Sequence, residues 1–278
     1  VAEVLTADEQ AAYEAESDSD TTAGVDATAG VPSFVTASFG VPYALGRPLV
    51  AMLEAQGGND AIDDAFRDPP STEEHLFDPV SYLDDEDAVE VATGLDGDLE
   101  AVEDGTFAPA EWFLLLGERI DPKQALEAAL GWGGSNYVAY QRDDRACIRT
   151  VFAGDTDGDD AQMQAALEAW HAVLPAGLVG SVELIAVDGH PGVDACDPGT
   201  AVDIAGANRS LELLVLPAVH AYLEADAASV LSTTAARCYA REALGRYSSD
   251  ELLDPDGAVF TDEAFNDVAV RAIADCRQ

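Results

Sequence analysis

Positive charge is what this chain has least of. Its 278 residues carry 13 Lys and Arg against 54 Asp and Glu, a formal net charge of −41, and Lys123 is its single lysine. So few cations argue against nucleic acid and anionic membranes as partners, because binding either needs basic groups to displace counterions. No apolar run is long enough to embed the chain in a bilayer, and no signal peptide is visible. Catalytic signatures are missing too. None of the four histidines, His75, His171, His190 and His220, is followed by Glu, which excludes a His-Glu-x-x-His zinc helix. There is no Gly-x-Ser-x-Gly elbow, phosphate loop or dinucleotide fingerprint. No cysteines are spaced Cys-x-x-Cys, so zinc ribbons and thioredoxin motifs are disfavoured. No catalytic residue, cofactor-binding residue or metal ligand is assigned, and no independent catalysis is expected.

What is present points to a folded, exported protein. A hydrophobic content of 48% is that of a globular chain rather than a disordered one. The acidity reads as adaptation to salt or to a high-GC genome, with a cation sponge or a basic partner as the alternative. Cys147, Cys196, Cys238 and Cys276 are even in number and widely spaced, which suits two disulfides in an oxidising compartment. Three connectivities exist. Sequential pairing is favoured, since Cys147 and Cys196 share a strand-rich region and Cys238 and Cys276 a helical one. The chain opens on Val1 without an initiator Met, so a trimmed precursor or longer protein is expected.

The predicted class is α+β in three regions. Residues 1–92 read as helical. A helix begins near Val41-Pro42 with Leu45, Leu49, Met52 and Leu53 on one face, and Gly57-Gly58 end it. A short helix follows from Asn59 with Ile62, Ala65 and Phe66 inward, Pro69-Pro70 stop it, and Ser71 to Glu74 read as a capping box. Ser17 to Gly30 reads as a mobile loop. Val89, Val91 and Thr93 alternate as in an edge strand. Residues 93–205 form an α+β domain, a small mixed sheet with helices on one face. Its strands are expected at Tyr137–Tyr140, Cys147–Phe152 and Val182–Val187, with a helix from about Asp160 to Val173 presenting Met163, Leu167 and Trp170. Residues 206–278 are helical, with Pro217 expected to kink a helix over Leu211–Ala225.

Several local patterns carry two readings. Asp155-Thr-Asp-Gly-Asp-Asp160 has the alternating acids of a calcium loop. It lacks Gly at the sixth position and Glu at the twelfth, so a turn capping the next helix is favoured. Asp254-Pro-Asp-Gly257 reads as a turn. Trp132 in Gly131-Trp-Gly-Gly134 reads as a core plug where glycines let backbones approach, with ligand stacking as the alternative. His190 and His220 read as loop or packing residues, and Asn208-Arg-Ser210 as an uninformative sequon.

One stretch carries a family likeness. The spacing of Pro42, Tyr43, Gly46, Gly57, Gly58, Asp63, Ala65, Pro69, Pro70, Ser71, Thr72, Glu73, Leu76, Pro79 and Tyr82 resembles exported zinc-metallopeptidase-like proteins of actinobacteria and haloarchaea. The likeness continues through Gly131-Trp132-Gly-Gly134, Tyr137, Arg149 and Cys196-Asp-Pro198 and covers about residues 1–200. In that family the zinc helix precedes this segment, and it is absent here. Where relatives have Leu-His-Pro, this chain has Leu76-Phe-Asp-Pro79. The resemblance implies a secreted or cell-surface prokaryotic protein, a non-catalytic or truncated metallopeptidase-like chain. The alternative is a module binding a peptide, glycan or protein in the groove between helices and sheet.

Overall fold

The computed structural model describes residues 6, 9–13, 30–95, 97, 99–199, 206–254 and 263–276. Five strands form one sheet: β1 (Ala101–Gly105), β2 (Trp132–Arg142), β3 (Arg145–Gly154), β4 (Val182–Val187) and β5 (His190–Cys196). Their spatial order is β1-β2-β3-β5-β4, and every neighbouring pair is antiparallel. The α+β class is as expected, with antiparallel pairing throughout rather than a mixed sheet. β3 and β4 run the same way with β5 between them, and the Asp157–Ala172 helix makes the crossover.

Two tight turns set the register. Asp143 and Asp144 join β2 to β3, and Asp188 and Gly189 join β4 to β5. All four have positive φ, between 51° and 97°. Two-residue turns of that hand match strand twist and fix which residues face each other. Across the β3–β5 pair, Arg149 lies directly opposite Asp194 and Cys147 opposite Cys196. Asp194 accepts hydrogen bonds from the Tyr140 hydroxyl at 2.6 Å and from Arg149 at 2.6 and 2.8 Å. Burial pushes the Asp194 carboxyl up, but these bonds and the Arg149 and Arg142 charges outweigh it and hold the carboxyl low.

Helices complete the fold. Ser33–Arg67 packs on Val215–Ala228, which packs in turn on Thr233–Gly245, and Glu263–Cys276 lies on the latter. The disulfides are Cys147–Cys196 and Cys238–Cys276, the sequential pairing. Each closes a loop of tens of residues and contributes about 2–4 kcal/mol by restricting the unfolded chain. The main core draws on all three sequence regions: Leu45 and Phe77, then Trp112, Phe113, Trp132, Phe152 and Leu167, then Leu213 and Leu244. Trp112 meets Phe107 and Phe152 edge-on, with centroids 5.0 and 5.9 Å apart. The Lys123 ammonium donates to the Gly245 and Tyr247 carbonyls, satisfying the end of the Thr233–Gly245 helix. No helix among the described residues is long and apolar enough to cross a membrane.

Local differences from the expectations have physical causes. The long helix starts at Ser33, so Pro42 and Pro48 lie inside it rather than in a first turn. Gly58, with φ 62° and ψ −149°, breaks it where Gly57-Gly58 were expected to end a helix. Phe66, expected inward, is exposed. Residues 86–95 form no strand, and the edges of the sheet are β1 and β4 instead. Ser71–Glu74 makes no capping box. A one-turn helix, Glu74–Phe77, begins there without a side-chain cap. Instead, Thr156 and Asp159 form a reciprocal capping box on the Asp157–Ala172 helix, the turn expected of the Asp155–Asp160 run. The helix expected over Leu211–Ala225 is two, Ser210–Leu213 and Val215–Ala228, with Pro217 in the first turn of the second. The Ser17–Gly30 loop up to residue 29 and the Pro-Asp-Gly turn at 255–257 lie outside the described residues.

Candidate functional site

Four segments meet at one acidic cleft. The prolines at 69 and 70 end the long helix and turn the chain, and Glu74 opens the one-turn helix that follows. Asp78 ends that helix and caps the next, Pro79–Leu83, by accepting a hydrogen bond from the Ser81 amide at 3.2 Å. The chain from Asp84 to Gly94 is then laid across the sheet. Its Val89 amide donates to the Gly133 carbonyl at 2.7 Å, and Arg149 donates to the Gly94 carbonyl at 2.6 Å. Glycine makes this docking possible, since a Cβ on Gly134 would sit 2.3 Å from the Val89 carbonyl oxygen. The docking brings Glu86 toward Asp155, which follows β3. A Cβ on Gly133 would lie 2.7 Å from the Asp155 Oδ1. Thus Gly131-Trp-Gly-Gly134 reads as a packing motif. Trp132 is buried and donates to the Ser135 hydroxyl at 3.1 Å.

Glu74, Glu86 and Asp155 each bring a carboxylate oxygen within 4.8 Å of the other two. Glu74 is 3% exposed, Glu86 half-buried and Asp155 open to solvent. Arg237, from the Thr233–Gly245 helix, is the cation at the centre. It donates to Asp78 at 2.7 Å, Asp84 at 3.1 Å and Glu86 at 2.8 Å. Its Nε lies 3.9 Å from the wholly buried Glu224, beside which sits His220 with Nδ1 at 3.7 Å. Four carboxyl groups (Asp78, Asp84, Glu86 and Glu224) thus lie within 4 Å of one guanidinium, Glu74 and Asp155 feel its charge, and Arg241 adds a second cation acting on Glu224. No described residue donates a hydrogen bond to the Glu74 carboxylate.

Charge crowding shifts these groups. Burial, then the charges of Asp155, Asp78 and Glu86, push Glu74 up to about 9 against the pull of Arg237. Partial burial of its carboxyl, then Glu86, Asp159 and Asp78, raise Asp155 to about 6. Burial first and Asp78 next push Glu224 well above the carboxylate range. Burial lowers His220 to about 4, with Asp78 opposing, so it is neutral at physiological pH. Burial pulls Arg237 down, but Asp78 and Glu86 more than restore it.

The sequence-based candidates scatter around this cleft. Pro42 and Tyr43 lie on the long helix, where Tyr43 is exposed, and Gly57 and Gly58 mark its kink. Pro69, Pro70, Ser71 and Thr72 form the turn leading to Glu74, and the Glu73 carboxylate accepts a hydrogen bond from the Ala110 amide at 3.1 Å. The histidines do not converge. His75 bonds the Glu86 carbonyl, His171 the Val182 carbonyl and His190 the Asp160 carboxylate. Sequence reasoning took Glu74 for a cap and Asp155 for a turn, and passed over Glu86 and Arg237. Compared with protein-family models, curated proteins and solved structures, the chain matches none.

Proposed function

We propose that this chain is an extracytoplasmic, non-catalytic binding module that takes a positively charged group in the cleft between its helices and its sheet. The observation that carries the reading is the carboxyl surplus around Arg237, with buried Glu74 left unpartnered among the described residues. The Glu74 carboxyl, raised to about 9, meets its burial with a proton, and an incoming cation can take that proton's place. The two disulfides support an oxidising, extracytoplasmic setting. The likeness to exported metallopeptidase-like proteins agrees with that setting and leaves this chain the role of a non-catalytic relative. Titration calorimetry with a tetralysine peptide in moderate salt tests the reading. Binding that weakens at least tenfold in Glu74→Gln and Glu86→Gln supports it. Equal binding by wild type and both variants refutes the cleft as the site. Peptide hydrolysis by the purified chain would refute the non-catalytic role.

A further inference from the structure

The three converging oxygens define a narrower ligand class. An equilateral triangle with a 4.8 Å edge has its centre about 2.8 Å from each corner (4.8/√3), and the pairwise distances here lie at or below that edge. Calcium takes oxygen ligands at about 2.3–2.6 Å in irregular arrangements of 6–8, so a slight contraction seats it among the three. All three donors are hard carboxylates, which suit calcium, magnesium or manganese rather than zinc. The remaining positions open toward solvent through Asp155, where water completes the shell. Glu74 provides the second observation. It is 97% buried by its 3% exposure, has no donor among the described residues, and its carboxylate is aimed at the other two. A solvated surface acid has none of these properties.

We infer that Glu74, Glu86 and Asp155 form a binding site for a hard divalent cation of the calcium class. This rests on the reading of the cleft as a site for positive charge and names the occupant. The Asp155–Asp160 run is not itself the loop that wraps the ion. It contributes one ligand, and the others come from the two segments that flank the Asp78–Arg237 ion pair. A bound ion ties the end of the N-terminal helical region, the Asp84–Gly94 crossing and the tip of β3 to one point.

The test uses the full chain, stripped with chelator and held in 2 M sodium chloride so that diffuse attraction is screened. Calcium at 10 mM is expected to raise the thermal midpoint by about 3–8 °C over an ionic-strength-matched sodium control, for a site of the weak extracellular kind. Calorimetry should give one calcium per chain. Both effects should vanish in Glu74→Gln, Glu86→Gln and Asp155→Asn, and persist in Asp157→Asn, which alters the same acidic run outside the cluster. Each variant is checked for native circular dichroism, and the three cluster variants report independently should one misfold. A calcium shift that survives in all cluster variants, or no shift in wild type, overturns the inference. Tetralysine separates the two levels. If it binds and is lost in the variants while calcium does nothing, only the cation assignment falls. If neither binds, the cleft reading falls with it.

Discussion

Removing Arg237 is the sharpest perturbation of this structure. Arg237→Met keeps the aliphatic stem but strands the carboxylates it serves. Asp84 and Glu86 are about a third exposed, at 32% and 35%, so water replaces much of what they lose, at most about 1 kcal/mol each. Asp78 is different. Its side chain is 8% exposed and bonded to Nε at 2.7 Å. Breaking a buried pair by deleting one partner costs about 3–5 kcal/mol. Arg237 itself is 25% exposed, which places the total near the lower end, about 3 kcal/mol at pH 8. That corresponds to a midpoint lower by about 6–12 °C. Arg237→Lys should recover only part of it, since one ammonium cannot reproduce a planar fork serving three acceptors. The assay is urea unfolding in molar salt for Arg237→Met, Asp78→Asn and the double variant. A coupling of about 1.5 kcal/mol or more is expected. A single-variant cost below about 1 kcal/mol, or no coupling, would refute the reasoning.

Three further outcomes are expected. Gly134→Ala should cost about 2–3 kcal/mol, because its Cβ meets the Val89 carbonyl at 2.3 Å, whereas Gly46→Ala, with nothing within 4 Å, should be neutral or stabilising by up to about 1 kcal/mol; equal effects in chemical unfolding would contradict the docking geometry. Stability should decline from pH 5 to 9, since Glu73, raised to about 7 by burial and Glu111, and Glu74, raised to about 9, hold protons in the native state that the unfolded chain releases near 4.5; that contribution is complete below 4.5 and lost as pH climbs through 7 and 9, and Glu73→Gln should flatten the lower part of a pH-resolved unfolding series. The thermal midpoint should rise by several degrees between 0.01 and 1 M sodium chloride, as the Debye length contracts from about 30 Å to about 3 Å around a charge of −41; a flat series would sink the repulsion argument.

How far the fold was readable depended on whether the signal was local. The Asp157–Ala172 helix announces itself through Met163, Leu167 and Trp170 at helical spacing, and all three are buried. The disulfides followed from which cysteines share a region. β5 was missed because Pro191 and Gly192 look like strand breakers. In the structure the pairing with β3 ends at Gly192, so Pro191 owes no amide to that ladder, and Gly192 sits where a Cβ would strike the Thr150 carbonyl. The Asp188-Gly189 dipeptide was the available hairpin signal. The cleft was not readable. Glu74, Glu86, Asp155 and Arg237 come from four separate segments, the local patterns at Glu74 and Asp155 pointed to caps and turns rather than to each other, and in a chain with 54 acids any three look like solvated surface. Only the glycine-permitted crossing of Val89 over Gly134 reveals which acids face each other.

The lone lysine has a practical consequence. Its ammonium is held by two backbone carbonyls where the Thr233–Gly245 helix ends, so in the native state it is a poor nucleophile toward amine reagents. Apart from the α-amino group, this chain has no other primary amine for acylation or cross-linking, and no other lysine for lysine-directed proteolysis. The rate at which Lys123 is acylated therefore becomes a single-residue clock for local opening of the junction between the Pro122–Ala129 helix and the Thr233–Gly245 helix, readable in one peptide without engineering a label.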